Sequence, residues 1–296
     1  MRLVTRADLD GLACALIVAE HEKLDDIALV HPQEITDKKA DIRSGDILAN
    51  LPYHPGCSRW FDHHLLTESN EKPPPDFDGL YRIAPSAAQL VWEYYGKEER
   101  FTRLIVETDK LDSAQLSERD VTQPQGYILL GFTLDPRSGL GDEEGYFMRL
   151  LDWLSGKKSV EEVLMIPEVK ERVVRMFEQN EEFCWTLANY SRLDDNVVFT
   201  DFRRVKEPAP AGNRFLIYTL FPEANVSVRV QWGRNRENVM VQVGHSIFNR
   251  TCRTSVGELM SDYGGGGHRG AGSTPLPIIE ADAKIIEIID TLRANG

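Results

Sequence analysis

The sequence predicts an α/β protein in two parts. A parallel sheet covered by helices should occupy the N-terminal part and a smaller α/β domain the C-terminus, with the functional cleft between them. Three observations carry this expectation. The chain has 296 residues, too many for one ordinary hydrophobic core. Its first third alternates short β-like runs with helical ones, the pattern of a parallel sheet with crossover helices. Beyond about residue 190 the texture changes to closely spaced strand-like runs, several alternating with period two.

In order, Leu3-Val4-Thr5 reads as a strand that leads into an apolar helix from Gly11 to Glu20. Ile27 to Val30, Asp46 to Ala49 and Ser58 to Phe61 are strand candidates, and Ser86 to Tyr95 returns to helix. In such a sheet the chemistry sits beyond the C-terminal ends of the strands. Pro73-Pro74-Pro75 is a local loop. The middle is helical. Pro167 to about Arg192 is one long helix, with Pro167 suited to its first turn and Val169, Val173, Met176 and Phe177 on one apolar stripe. Val197 to Phe199, Phe215 to Tyr218, Val226 to Val230 and Val239 to Val243 read as strands, and Glu207 to Gly212 as a loop. Helices are expected at Ser255 to Tyr263 and Ala281 to Ala294. The domains are placed at residues 1–190, ending in the long linker helix, and 196–296.

Composition narrows the function. Hydrophobic residues make up 42% and charged residues 27%, as in ordinary globular proteins. No apolar run approaches the roughly 20 residues of a membrane helix. Arg6, Asp8 and Asp10 come too early for a secretory signal, so a cytoplasmic protein without a membrane partner is expected. Cys14, Cys57, Cys184 and Cys252 show no CxxC pairing, which argues against zinc-ribbon and redox-pair roles. A net charge of -13 disfavours binding of long duplex DNA, because affinity for a phosphate backbone needs a basic surface. It leaves room for a small anion beside a bound divalent cation.

Three segments carry chemistry. In Asp8-Leu9-Asp10-Gly11, two carboxylates at i and i+2 leave a strand and suit a hard divalent cation. Taken alone, an aspartate there is as well read as a helix N-cap. Asp62-His63-His64 puts a carboxylate and two imidazoles at the end of another strand, combining acid, base and ligand groups. Gly264-Gly265-Gly266-Gly267-His268-Arg269-Gly270-Ala271-Gly272 joins backbone N–H groups able to cradle an anion to two charged donors. The plain alternative for this segment is a surface loop.

Together these segments resemble the DHH phosphoesterase superfamily, which includes exopolyphosphatases, family II pyrophosphatases, RecJ-type exonucleases and phosphodiesterases of short or cyclic oligonucleotides. The resemblance covers nearly the whole chain. Asp8-Leu9-Asp10-Gly11 looks like the first motif, Asp62-His63-His64 like the naming triplet, Asp109 within Glu107 to Asp112 like the fourth motif, and the glycine run like the C-terminal GGGH signature. Asn50 to Cys57, Trp60 to His64 and Leu134 to Gly141 look like the exopolyphosphatase-related group.

The resemblance implies a metal-dependent phosphoesterase acting on small phosphorylated substrates such as short oligonucleotides, pAp-like nucleotides, cyclic dinucleotides or polyphosphate. It implies Asp8, Asp10, His63 and Asp109 as ligands of Mn2+ or Mg2+, and Asp62 and His64 as catalytic groups. Gly265, Gly266, Gly267, His268 and Arg269 would bind substrate, and a homodimer is compatible with it. The chain departs from the pattern twice. Val4-Thr5-Arg6 holds no histidine, and Asn50 stands where the family places a bridging aspartate. Both departures weaken one metal position, so one tight and one weak site are expected, with His54 and Asn50 as candidate substitutes. The other outcome is an impaired enzyme that binds a nucleotide without hydrolysing it.

Overall fold

The computed structural model describes residues 1–66, 71–206 and 210–295. The chain divides into two compact units, residues 1–116 with 123–176, and residues 117–122 with 177–296.

The first unit is built on a five-stranded, wholly parallel sheet of order β2-β1-β3-β4-β5. In chain order it comprises β1 (Arg2–Thr5), α1 (Leu9–His21), β2 (Asp26–Leu29), α2 (Pro32–Thr36), β3 (Ile47–Ala49), β4 (Arg59–Asp62), β5 (Gly79–Tyr81), α3 (Ala87–Tyr94) and α4 (Thr102–Asp112). The two-residue period of the strands sorts their side chains. Leu3, Ile47, Ala49 and Phe61 face one core with α1 and α3, while Val4, Leu48 and Trp60 face another with Ile35 and Leu51. Helix α1 has ten buried residues of thirteen, which explains why its sequence is apolar all round rather than striped. Because β1 lies between β2 and β3, the chain reverses its winding there. The carboxyl ends of β1, β3 and β4 therefore border one crevice, the usual ligand position in such sheets.

After α5 (Glu118–Thr122), which packs in the second unit, come α6 (Gly126–Leu134), α7 (Glu143–Ser155), α8 (Val160–Leu164) and α9 (Pro167–Tyr190). The expected long helix is present. Its residues up to Met176 belong to the first unit and those from Phe177 to the second. It ends at Tyr190, and Ser191 to Asp194, whose first residues were expected to be helical, instead form β6.

The second unit is a six-stranded mixed sheet of order β10-β11-β9-β8-β7-β6, in which only the β7–β8 pair is parallel. Its elements are β6 (Ser191–Asp194), β7 (Val197–Asp201), α10 (Leu216–Leu220), β8 (Val226–Trp232), β9 (Val239–His245), α11 (Val256–Ser261), β10 (Gly266–His268), β11 (Ala271–Leu276) and α12 (Ile278–Ala294). Alternate residues of β8 and β9 are buried against Ile285, Ile288 and Leu292 of α12. One expectation is corrected. Phe215 to Tyr218 is not a strand but the start of α10, and all four residues are buried. A short apolar run buried on every side has no periodicity to tell helix from strand. The loop expected at Glu207 to Gly212 falls partly on residues 207–209, outside the described residues. No helix among the described residues is long and apolar enough to cross a membrane.

Candidate functional site

The site grows from the ends of the parallel strands. Asp8 follows β1 and caps α1, its Oδ1 accepting the Gly11 N–H at 2.9 Å. Gly11 must be glycine, since a Cβ there would lie 2.0 Å from the Arg6 carbonyl oxygen. Asp10, in the first turn of α1, is buried. Its two oxygens accept the backbone N–H groups of Ala87 (2.9 Å) and Ala88 (2.7 Å), at the N-terminus of α3. Burial and the charges of Asp112 and Asp8 nonetheless push the Asp10 carboxyl well above the usual carboxylate range. The Asp10 carboxylate thus sits in the field of two further negative charges, a distribution that a cation would relieve.

His63 follows β4. Its Nδ1 lies 3.0 Å from the Ala84 carbonyl oxygen, which can only accept, so Nδ1 donates there and in the neutral ring Nε2 carries the lone pair. That Nε2 is buried without a hydrogen-bond partner, 3.2 Å from Asp112 Oδ2 and 3.8 Å from Asp10 Oδ2. Asp10, His63 and Asp112 are therefore one group of potential ligand atoms within 4.8 Å of each other. An orphaned imidazole lone pair facing two carboxylates fits a divalent cation, and the carbonyl behind Nδ1 fixes the ring as such ligands require.

Asp62 is buried at the end of β4 and organises the triplet. Its Oδ1 accepts the His63 N–H at 2.9 Å and pairs with His64 Nδ1 at 2.7 Å. Burial depresses the pKa of His64, but the Asp62 hydrogen bond and the charges of Asp62 and Asp112 outweigh it, and the net shift is upward. His64 is half exposed, with Nε2 the nitrogen that Asp62 leaves open.

The structure brings together Asp10, His63, Asp62 and His64 of the expected residues. Asp8 and Asp109 stand apart from that convergence. Asp8 Oδ1 also accepts from Asn50 Nδ2 at 3.1 Å, and its Oδ2 pairs with Arg6 Nε at 3.2 Å. Asp109 Oδ1 accepts from Ser86 Oγ at 2.6 Å, and Ser86 in turn caps α3. Its place in the ligand group is taken by Asp112, one turn further along α4, which sequence reasoning did not single out. An i,i+3 pair of acids was the available signal, and it does not say which member faces the site. Asn50 is buried at a left-handed backbone position (φ 59°), its amide on Asp8 and its Oδ1 without a partner. His54 Nδ1 accepts from the Gly56 N–H at 3.0 Å and joins neither ligand group.

In the second unit, the glycine run is more ordered than the expected cradle. The N–H of Gly265 bonds to the Met260 carbonyl and that of Gly264 (φ 79°) to the Ser261 carbonyl, the two bonds of a Schellman cap on α11. Gly266 to His268 then form β10 against β11. A Cβ on Gly265 would lie 2.1 Å from the Ser273 carbonyl oxygen, and one on Gly267 2.3 Å from that of Ala271. Gly264 and Gly265 thus use their N–H groups on the helix, and these two do not contribute to an anion nest. His268 and Arg269 are exposed at the hairpin, with His268 Nδ1 accepting from the Gly270 N–H.

No protein-family model matches the chain. No curated protein matches it either. Among solved structures, the chain is similar to the pGpG-specific phosphodiesterase PggH from Vibrio cholerae, at 38% identity and a TM-score of 0.85, over 100% of this chain and 99% of that one. RecJ from Thermus thermophilus, solved with Mn2+, matches at 13% identity and a TM-score of 0.61, over 100% of this chain and 52% of that one. A DHH domain described as a member of the s1p family of ribosomal proteins matches at 12% identity and a TM-score of 0.59, over 99% and 86% of the two chains. The last two likenesses concern the fold.

Proposed function

Since this chain belongs to the DHH phosphoesterase superfamily, we propose that it is a metal-dependent phosphodiesterase of short oligonucleotides, with pGpG, the substrate in its neighbour's name, as the first candidate. The observation that carries this reading is the orphaned Nε2 of His63 facing Asp10 and Asp112. These three would hold one Mn2+ or Mg2+ tightly, and any second cation weakly. A divalent cation bound there would polarise a phosphoryl oxygen and favour ionisation of water at neutral pH. The protein's own groups do the rest. Asp62 holds His64 by Nδ1 so that Nε2 points outward, able to donate to a phosphate oxygen or to the leaving 3′ oxygen. Hydrolysis adds water to the bridging phosphorus, breaks its bond to the 3′ oxygen of the leaving nucleotide and returns a proton to that oxygen. His268 and Arg269 are the basic groups this reading assigns to the remainder of the substrate. A net charge of -13 favours a short polyanion over a long one.

The test is turnover of pGpG, pAp, cyclic dinucleotides, polyphosphate and a length series of single-stranded oligonucleotides, with Mn2+, Mg2+ or chelator. Hydrolysis of pGpG with Mn2+, abolished by chelator and falling with length, is the expected result. Binding of pGpG without turnover would support the impaired-enzyme alternative, and rising activity on long chains would refute the substrate class.

A further inference from the structure

A second cation in this centre would need Asp8 to be available, and in this chain it is not. Asp8 Oδ1 accepts hydrogen bonds from the Gly11 N–H and the Asn50 amide, and its Oδ2 forms an ion pair with the Arg6 guanidinium. The Asn50 amide presents hydrogens where a bridging carboxylate would present lone pairs. Arg6 enters through the short turn between β1 and α1, with about a third of its side chain exposed. Among the described residues Asp8 is its paired side chain, with 3.2 Å between Nε and Oδ2. Asp8, the partner of Arg6, caps α1 two residues before Asp10. Arg137 feels Asp8 and Asp112, but its guanidinium is forked onto Asp135 through Nε and Nη2 at 2.7 Å each. Among the described residues no such two-point hydrogen bond holds the Arg6 guanidinium.

We propose that Arg6 takes the place of the second metal ion: the centre works with one divalent cation at Asp10, His63 and Asp112, and the Arg6 guanidinium, fixed by Asp8 and seconded by Asn50, binds a non-bridging phosphate oxygen of the substrate. The proposal rests on the reading of Asp10, His63 and Asp112 as the metal ligands. A guanidinium is suited to the task. It stays charged at every working pH and offers a planar fork of donors matched to phosphate, without needing the bridging carboxylate that this chain lacks. It also accounts together for two departures from the family pattern, Asn50 and the residues before Asp8, which otherwise look like separate losses at one metal position.

Calorimetric titration of the full chain with Mn2+, and separately with pGpG, tests this without requiring turnover. Wild-type protein should take one Mn2+ per chain. Arg6→Ala should still take one, yet bind pGpG at least roughly tenfold more weakly, the loss expected of a charge-assisted hydrogen bond. Arg6→Lys, which keeps the charge and loses the fork, should fall between the two and guards against a folding defect in the alanine variant. The double variant Arg6→Ala with Asn50→Asp should gain a second Mn2+. Two Mn2+ of similar affinity in the wild type, or unchanged pGpG affinity in Arg6→Ala, would overturn the role of Arg6 alone. A wild type that binds no Mn2+ would defeat the underlying metal reading and the role of Arg6 with it.

Discussion

His63 and its two carboxylate neighbours decide what the centre can hold. The Ala84 carbonyl takes the Nδ1 proton, so in the neutral ring Nε2 meets Asp10 and Asp112 as a lone pair among negative charges. Such a group is either costly or a ligand. Asp10 and His63 were legible in the sequence because each lies just beyond a strand, Asp10 in the first turn of the helix after β1 and His63 directly after β4, where this fold collects its chemistry. Asp112 was not, because it shares a helix with Asp109 at a spacing that puts both on neighbouring positions of one face. Packing separates them: Ser86 holds Asp109, while Asp112 faces His63. Asp112→Asn should therefore weaken Mn2+ binding by more than roughly tenfold, since even partners one step removed from a metal shift its affinity by roughly 10–100-fold. Asp109→Asn should weaken it far less. Calorimetry on the two variants measures the difference, and equal losses would return Asp109 to the ligand set.

At the level of elements, the sequence conveyed the parallel sheet more clearly than the second unit. Strands β1, β3 and β4 announce themselves by apolar runs that end in polar, chemistry-bearing residues. Strands β10 and β11 do not, because a glycine-rich run shows no hydrophobic alternation, and its reading as a cradle overlooked the pairing with Ala271 to Ser273. The glycines serve the backbone first. Gly264 takes a left-handed conformation to cap α11, and a Cβ added there would have nothing within 4 Å, so alanine meets only a conformational penalty. Gly264→Ala should lower the unfolding free energy by about 1–2 kcal/mol. Gly267→Ala should cost more, because its Cβ would also collide with the Ala271 carbonyl. Denaturant titration of both variants checks the order, and equal stabilities would mean that the hairpin can relax around the added methyl.

For the whole molecule, charge and site chemistry agree on a small anionic substrate. A surface of net charge -13 offers little to a long polyanion. The positive groups near the centre, Arg6 and Arg137, are enough for one or two phosphates. Cys252 is the cysteine whose pKa is lowered, the hydrogen bonds of His245 and Thr254 and the His245 charge together outweighing burial. All four are free thiols, and burial raises the pKa of Cys14, Cys57 and Cys184. The account therefore turns on one tightly held cation. The most direct measurement is the anomalous difference density of a crystal of the full chain soaked in Mn2+. The account predicts one strong peak within about 2–2.5 Å of Asp10, His63 Nε2 and Asp112, with the Arg6 guanidinium still paired to Asp8. Two equally strong peaks bridged by Asn50, or a peak bound to Asp109 with His63 Nε2 left vacant, would contradict it.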